Sequence, residues 1–171
     1  MKVAVDSCSM ILLSKSAVLE IFAKNYDLFI TEGVYKEILK GKDKKFIDAL
    51  LTEGLVKERK IKVIHTANNS LIKKLMHDFG VGIGEAETLA LVINKQCDAV
   101  LTDNKQGRKS AFIHGLSLIG SVDGIISLHR LKLIDEDKAV EGLKRLREFG
   151  WFSDYLIDKA LEDIGFIQKM G

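Results

Sequence analysis

Residues 2–15 read KVAVDSCSMILLSK, and this stretch decides the class of fold. Its run VAV has the length and composition of a buried strand, and the run closes at Asp6. Residues 11–24 (ILLSKSAVLEIFAK) then place apolar side chains at helical spacing rather than in two-residue alternation. A strand followed at once by a helix is a βα unit. Because repeated units of this kind build parallel sheets, the stretch predicts an α/β fold.

The rest of the chain repeats this alternation of strand and helix until Val122, after which the pattern is entirely helical. We expect a mostly parallel central sheet of about five short strands, covered by helices on both faces in a Rossmann-like sandwich. The length of 171 residues suits a single domain over residues 1–171, with residues 134–171 as a C-terminal helical extension packed on it. The further strands are predicted at LFI (28–30), around 61–64, at CDAVLTD (97–103) and at LSLIG (116–120).

Glycine marks the expected turns, since the sequence contains no proline. Residues 43–54 (DKKFIDALLTEG) are predicted to form a helix that ends at Gly54. The glycine-rich segment GVGIG (80–84) follows one helical stripe and is predicted to open the next helix, in EAETLALVIN (85–94).

Composition excludes several classes of protein. No window approaches the roughly 20 uninterrupted apolar residues of a membrane span, and the N-terminus lacks a secretory signal. Cys8 and Cys97 are too few for a disulfide framework, so we expect a reducing cytoplasm. The net charge is +2, so any binding of nucleic acid must come from local patches, such as GKDKK (41–45) and KERKIK (57–62).

Two acids stand where predicted strands end. Asp6 closes the run KVAV and Asp103 closes the run AVLT, while Glu37 and Glu85 lie on predicted helices. Because the carboxyl ends of parallel strands meet at one edge of a sheet, we expect the two aspartates to lie there together. Four crowded carboxylates would raise one another's pKa values and destabilise the fold, so the arrangement predicts a divalent cation.

Four segments, taken in order, resemble those of a known family. They resemble the PIN-domain nucleases, and within them a branch of toxin-like ribonucleases that is common in archaea and bacteria. The resemblance spans residues 3–133 and implies a metal-dependent endoribonuclease acting on single-stranded or structured RNA. Asp6, Glu37, Glu85 and Asp103 match the four acidic positions of the family. The segments are VDSCSMILLSK (5–15), VYKEIL (34–39), GIGEAETLAL (82–91) and VLTDNKQGR (100–108).

The ligand types indicate the metal. Mg²⁺ and Mn²⁺ prefer carboxylate oxygens and waters, and bind through one or two direct carboxylates plus substrate phosphate. Asp6 and Asp103 are the expected direct ligands, with Glu37 and Glu85 holding waters of the metal or a second ion. A metal held in this way activates water and stabilises the charge that develops on phosphate. The predicted reaction is therefore hydrolysis of a phosphodiester bond.

Two residues depart from the family pattern. Asn104 stands where many relatives of this branch carry a second acid, and Cys8 stands where serine is usual. Asn104 can still hydrogen-bond to substrate, but it adds no charge, which disfavours tight binding of a second metal. No histidine has a spacing that would activate Cys8, so we interpret it as a small buried residue or a turn residue rather than a nucleophile.

Polar residues beside the acids are the expected substrate contacts. Lys105 and Arg108 are predicted to bind the flanking phosphates, and the resemblance also places an arginine at position 108. Ser9, in the turn after the first strand, either contacts substrate phosphate or caps the helix that follows. Ser121 is predicted to cap a helix, with contact to a water of the metal as the alternative.

Another class of function stays open. A noncatalytic PIN-like module could bind RNA or a partner protein and keep its acidic site as a vestige. If the chain is a toxin, its partner is an antitoxin protein. The aromatic residues 149–155 are expected to pack in the core, with a homodimer surface as the alternative; they are Phe149, Trp151, Phe152 and Tyr155.

Overall fold

A computed structural model of the chain describes residues 1–42, 46–67 and 69–165. The basic stretch 41–45 and the start of the helix predicted over 43–54 therefore lie partly outside the described residues. The elements, in chain order, are β1 (Lys2–Val5), α1 (Ser7–Lys15), α2 (Leu19–Asn25), β2 (Asp27–Thr31), α3 (Glu32–Leu39), α4 (Ile47–Lys57), β3 (Ile61–Ile64), α5 (Ser70–Phe79), α6 (Ile83–Ile93), β4 (Ala99–Leu101), α7 (Lys105–Ile113), β5 (Leu118–Ile119), α8 (Ser121–Arg130), α9 (Glu136–Phe149) and α10 (Asp154–Asp163).

The strands form one fully parallel sheet in the order β3-β2-β1-β4-β5. Each strand lies where the sequence predicts one, so the expectation of a parallel α/β sandwich is confirmed. Successive residues of the central strand β1 face opposite sides of the sheet. Val3 and Val5 belong to one buried apolar cluster and Ala4 to another. Helices therefore cover both faces, as a parallel sheet requires.

The order of the strands places a switch point at β1. The chain adds β2 and β3 on one side of β1, then crosses to add β4 and β5 on the other. Val5 pairs with Leu101, so the carboxyl ends of β1 and β4 lie side by side. Ligands of open α/β sheets bind outside the strands at such a point.

Residues 11–24, whose spacing predicted continuous helix, form two helices instead. α1 ends at Lys15 and α2 begins at Leu19, and between them Ala17 takes the left-handed conformation, with φ +59°. The Leu12 carbonyl accepts from both the Ser16 backbone N–H at 2.9 Å and the Ser16 hydroxyl at 2.8 Å, so Ser16 closes the end of α1 with two hydrogen bonds to one carbonyl. Apolar periodicity continues across the break because both helices bury their apolar faces in the same core.

The left-handed residue between these helices gives a test of stability. We expect Ala17→Gly to raise the free energy of unfolding by about 0.5–1 kcal/mol, because glycine adopts positive φ without the steric cost that alanine bears. Ala23→Gly, the same change inside α2, is the control and should lower it by about 1 kcal/mol. Urea unfolding measures both. Equal destabilisation by the two changes would contradict the strain at Ala17.

The helix predicted to end at Gly54 continues to Lys57, so this boundary was wrong. Leu55 is buried and extends the apolar face of α4 beyond the glycine. The helix ends where Arg59 takes a left-handed conformation, with φ +59°. Burial of the next turn therefore outweighed the preference of glycine for a helix end.

The last two helices share the core of the sheet. Leu143 and Leu146 of α9 and Ile157 of α10 belong to the same buried cluster as Val3 and Val5 of β1. No described helix is long and apolar enough to cross a membrane.

Candidate active site

The two strand-end acids emerge together at the switch point of the sheet. The Asp6 backbone N–H donates to the Leu101 carbonyl at 3.3 Å, which holds the ends of β1 and β4 in register. Asp6 leaves β1 as a buried residue, and Asp103 leaves β4 only partly buried. The expectation that the sheet edge would bring these carboxylates together therefore agrees with the geometry.

Asp6 has one carboxylate oxygen satisfied and one without a partner. Its Oδ1 accepts from the Ser9 backbone N–H at 2.7 Å, so Asp6 is the N-cap of α1. Its Oδ2 is buried and has no hydrogen-bond partner among the described residues. Burial raises the pKa of this carboxyl to about 6, and Asp103 adds to the rise, while Thr102 and Ser9 lower it. An orphaned buried oxygen of this kind is suited to a cation.

Asp103 is held by two serines. Its Oδ2 accepts from the Ser9 hydroxyl at 2.8 Å and from the Ser121 hydroxyl, and its Oδ1 accepts from the Ser121 backbone N–H at 2.8 Å. The Ser9 hydroxyl also accepts from the Asp103 backbone N–H at 3.0 Å. Gly120, not Ser121, is the N-cap of α8, so the predicted capping role of Ser121 was wrong. Both serines position the carboxylate from the starts of α1 and α8.

The helical acids occupy the neighbouring cleft, which has a volume of about 530 Å³. Glu37, on α3, accepts from the Ser7 hydroxyl at 2.9 Å. Glu85, in the first turn of α6, accepts from the Gly82 backbone N–H at 2.9 Å. Both carboxylates line this cleft together with Cys8 and Lys36.

The charges of all four acids act on the thiol of Cys8. Desolvation of its thiol raises the pKa to about 12, and the charges of Asp6, Asp103, Glu85 and Glu37 contribute in that order. All four predicted acids thus lie within electrostatic reach of one sulfur atom. A thiol with so high a pKa does not ionise near neutral pH, which disfavours Cys8 as a nucleophile. Cys8 lies in the first turn of helix α1 and is exposed, so the prediction of a buried or turn residue was wrong.

The donor set suits a hard cation. Carboxylate and hydroxyl oxygens surround the switch point, and the orphaned Asp6 Oδ2 offers a direct ligand. Within residues 1–42, 46–67 and 69–165, no three His, Cys, Asp or Glu side chains converge into a preformed metal site. Mg²⁺ accommodates this arrangement because it keeps several waters and binds through one or two carboxylates.

A further buried acid lies close to the site. Glu87 is 8% exposed, and its Oε2 has no hydrogen-bond partner among the described residues. It faces Gly33 of α3, where a Cβ would come within 2.6 Å of that oxygen. The sequence placed Glu87 on a different face from Glu85, and Glu87 does not line the cleft that Glu85 lines. Only the packing of α3 on α6 reveals that this acid is buried.

Of the residues that follow Asp103, Asn104 caps a helix, whereas Lys105 and Arg108 are exposed at the surface. Asn104 Oδ1 accepts from the backbone N–H groups of Gln106 at 2.8 Å and Gly107 at 3.0 Å, so it caps α7. The oxygen proposed to contact substrate is therefore already engaged. Lys105 and Arg108 are exposed, and neither forms an ion pair with a described residue.

Three charged side chains approach one another around Gly120, which has no side chain to keep them apart. This contact was not predicted from the sequence. A Cβ at this position would lie 2.8 Å from Arg108 Nη1, 3.1 Å from Asp123 Oδ2 and 3.3 Å from Asp103 Oδ1. Asp123 was missed by sequence reasoning because an acid in the first turn of a helix is ordinary. Its Oδ2 accepts from the Gly120 backbone N–H at 3.3 Å, which closes the start of α8.

Comparison with known proteins identifies one family. A family model described as a PIN domain matches residues 2–165. No curated protein and no solved structure matches the chain at a significant level.

Proposed function

The chain belongs to the PIN-domain family, and from that premise we propose that it is a metal-dependent endoribonuclease that hydrolyses phosphodiester bonds of RNA. PIN domains are generally nucleases. The observation that carries the proposal is the buried, half-satisfied Asp6 beside the serine-held Asp103 at the switch point. Two carboxylates at the ends of adjacent parallel strands form the kind of site that binds a ligand in this architecture.

Asp6 and Asp103 would hold Mg²⁺ or Mn²⁺, with Glu37 and Glu85 contributing from the adjacent cleft. The metal, when bound, would supply a Lewis acid for the phosphate and an activated water for attack. Ser9 and Ser121 keep the Asp103 carboxylate in one orientation through four hydrogen bonds that include its backbone N–H. Preorganised ligands avoid the cost of ordering side chains at the moment of reaction.

Cations on both clefts support a polyanionic substrate. Lys36 and Lys40 line the cleft that holds Glu37, while Lys105 and Arg108 line a second cavity that includes Asp103. None of these four cations forms an ion pair within the described part of the chain. Phosphates on either side of the acids would therefore meet available positive charge.

A noncatalytic module that binds RNA is the second candidate. Two points favour it: Asn104 is uncharged where the resemblance implies an acid in many relatives, and the described residues contain no preformed site of three metal ligands. In that case RNA would bind the cationic clefts and remain intact.

Removal of the metal is the direct test. With Mn²⁺, we expect the protein to cleave an end-labelled, mixed-sequence single-stranded RNA. We expect EDTA to abolish cleavage, because without a cation the carboxylates repel the anionic phosphate and nothing stabilises the charge that develops on it. Addition of excess Mn²⁺ should restore the rate. Denaturing gels measure the products. Cleavage that persists in EDTA, or RNA that stays intact with Mn²⁺ while binding the protein, would contradict the nuclease proposal.

A further inference from the structure

A cavity of about 370 Å³ adjoins the acid cluster and contains an exposed aromatic side chain. Asp103 belongs to its lining, so the cavity is continuous with the proposed catalytic site. Its other wall comes from the junction between α9 and α10. The residues that carry the argument are Asp103, Lys105, Arg108, Trp151, Phe152 and Leu156.

Trp151 is fully exposed although it lines this cavity. Its neighbour Phe152 packs against the main apolar core, and a Cβ at Gly150 would overlap the Phe152 ring. On the other side, Ser153 is the N-cap of α10, and its hydroxyl accepts from the Leu156 backbone N–H at 3.3 Å. The backbone around Trp151 is therefore anchored on both sides. The indole lies outside the core because its neighbour occupies the buried position.

Because Trp151 stays exposed, the folded protein gains none of the hydrophobic stabilisation that burial of so large a side chain would give. Single exposed apolar residues are common, but this one shares its cavity with Leu156, which is 42% exposed. Lys105 and Arg108 form the cationic side of the same cavity, Asp103 and Asp123 its acidic side. Arg108 Nη1 donates to the Thr102 carbonyl at 3.4 Å, and neither cation forms an ion pair with a described residue. Aromatic faces next to cations that lack ion-pair partners are the combination that binds single-stranded nucleic acid, through base stacking and phosphate contacts.

From this juxtaposition we propose that Trp151 stacks on a base of single-stranded RNA, next to the phosphate that Lys105 and Arg108 bind. The inference depends on the proposed function at one point: it takes the phosphate bound by Lys105 and Arg108 to be close to the phosphodiester bond that is cleaved. The stacked base lies outside the acid cluster, toward the start of α10. A base paired within a duplex cannot present its face to Trp151, so the cavity selects unpaired RNA.

Trp151 also provides the measurement, because it is the single tryptophan of the chain. We expect its fluorescence to be quenched when a short oligoadenylate binds in Ca²⁺, with gels verifying that the RNA stays intact. An abasic ribose-phosphate oligomer of the same length and charge should bind through the cations without quenching. Anisotropy of labelled oligomers measures the binding independently.

Substitution separates stacking from charge. Trp151→Ala should weaken binding of oligoadenylate at least about fivefold and leave binding of the abasic oligomer unchanged. Trp151→Phe, which keeps an aromatic ring, should retain most of the affinity. Phe112→Ala is the matched control, since Phe112 is 83% exposed but does not line the cavity. It should bind both oligomers as the wild type does.

Several outcomes would overturn the subsite. These are unchanged fluorescence on saturation with oligoadenylate, equal quenching by the abasic oligomer, and no binding of either. Quenching that follows protein concentration without RNA would instead assign Trp151 to contact with a second copy of the chain, and would also overturn it. If the protein cleaves RNA but shows no quenching, the stacking proposal is rejected and the nuclease proposal stands. If it shows quenching but no cleavage, the stacking proposal stands and the nuclease proposal is rejected.

Discussion

Asp103→Asn is expected to lower the rate of Mn²⁺-dependent RNA cleavage about 100-fold or more. Asparagine has nearly the same shape, so Ser9 and Ser121 keep a hydrogen-bonding partner and the fold should persist. The amide, however, carries no charge and is a far weaker ligand for a hard cation. Single-turnover rates on end-labelled RNA, measured across a range of Mn²⁺ concentrations, give the effect. Circular dichroism establishes that the variant is folded.

Asp98→Asn is the matched control for this change. Asp98 stands at the opposite end of β4, where its Oδ2 accepts from the Lys2 backbone N–H at 2.7 Å. The same loss of charge at the amino end of the strand should leave the cleavage rate unchanged. If both variants cleave like the wild type, Asp103 is not a metal ligand. If both variants lose activity equally, the loss results from removing a negative charge anywhere on the sheet and not from removing a metal ligand.

Asp6→Asn is expected to raise the free energy of unfolding at neutral pH by about 1–2 kcal/mol while abolishing cleavage. The pKa of Asp6 rises from 3.8 to about 6 in the folded protein because the carboxyl is buried. Each pKa unit corresponds to about 1.4 kcal/mol, and the charged form is the one that burial penalises. Asparagine removes that penalty and can still accept from the Ser9 backbone N–H, but its NH₂ group takes the place of the unpartnered Oδ2, and a buried donor without an acceptor offsets the gain by about 1 kcal/mol or more. Under the proposed function, this loss of stability is the cost of keeping an ionised carboxylate available to a metal.

The pH dependence of stability follows from the same pKa. Between about pH 3.8 and pH 6 the native protein holds the Asp6 proton that the unfolded chain has released. This contribution to stability is complete below the unfolded pKa and is lost as pH rises through about 6. Urea unfolding at several pH values should show the loss in the wild type and not in Asp6→Asn. Cleavage should rise over the same window, because only the ionised carboxylate binds metal.

Asp135→Asn controls for helix capping. Asp135 is also an N-cap, with its Oδ1 accepting from the Lys138 backbone N–H at 2.8 Å, but it is exposed. Because asparagine and aspartate cap helices about equally well, this change should alter stability by only about 0.5 kcal/mol or less. A loss of stability in Asp6→Asn, or an equal gain in both variants, would contradict the penalty that burial imposes on Asp6.

The strands could be predicted from local sequence, because each is a short and mostly apolar run bounded by turn residues. VAV before Asp6 and AVL before Asp103 are such runs, and they form β1 and β4. The ends of the helices were harder to predict from the sequence. The break at Ala17 and the continuation past Gly54 depend on which turns are buried, and burial is set by distant elements.

The positions of the two strand-end acids could also be predicted from the sequence. A strand-end acid is visible in the chain itself, and parallel pairing places such acids at one edge whichever strands are neighbours. The partners of those acids were not accessible. Ser121 meets Asp103 from 18 residues away, and Ser9 meets it from 94 residues away. Both contacts require β1, β4 and β5 to be adjacent.

The alternation of apolar runs and the acids that close them therefore determined the class of fold and the edge that carries the site, because both follow from spacing along the chain. Tertiary structure alone decided the strand order, the orphaned oxygen of Asp6 and the burial of Glu87. It also decided that Trp151, which the sequence assigned to the core, lies exposed in a cavity with Asp103 and Arg108. These features depend on long-range packing, which places residues far apart in the chain against one another.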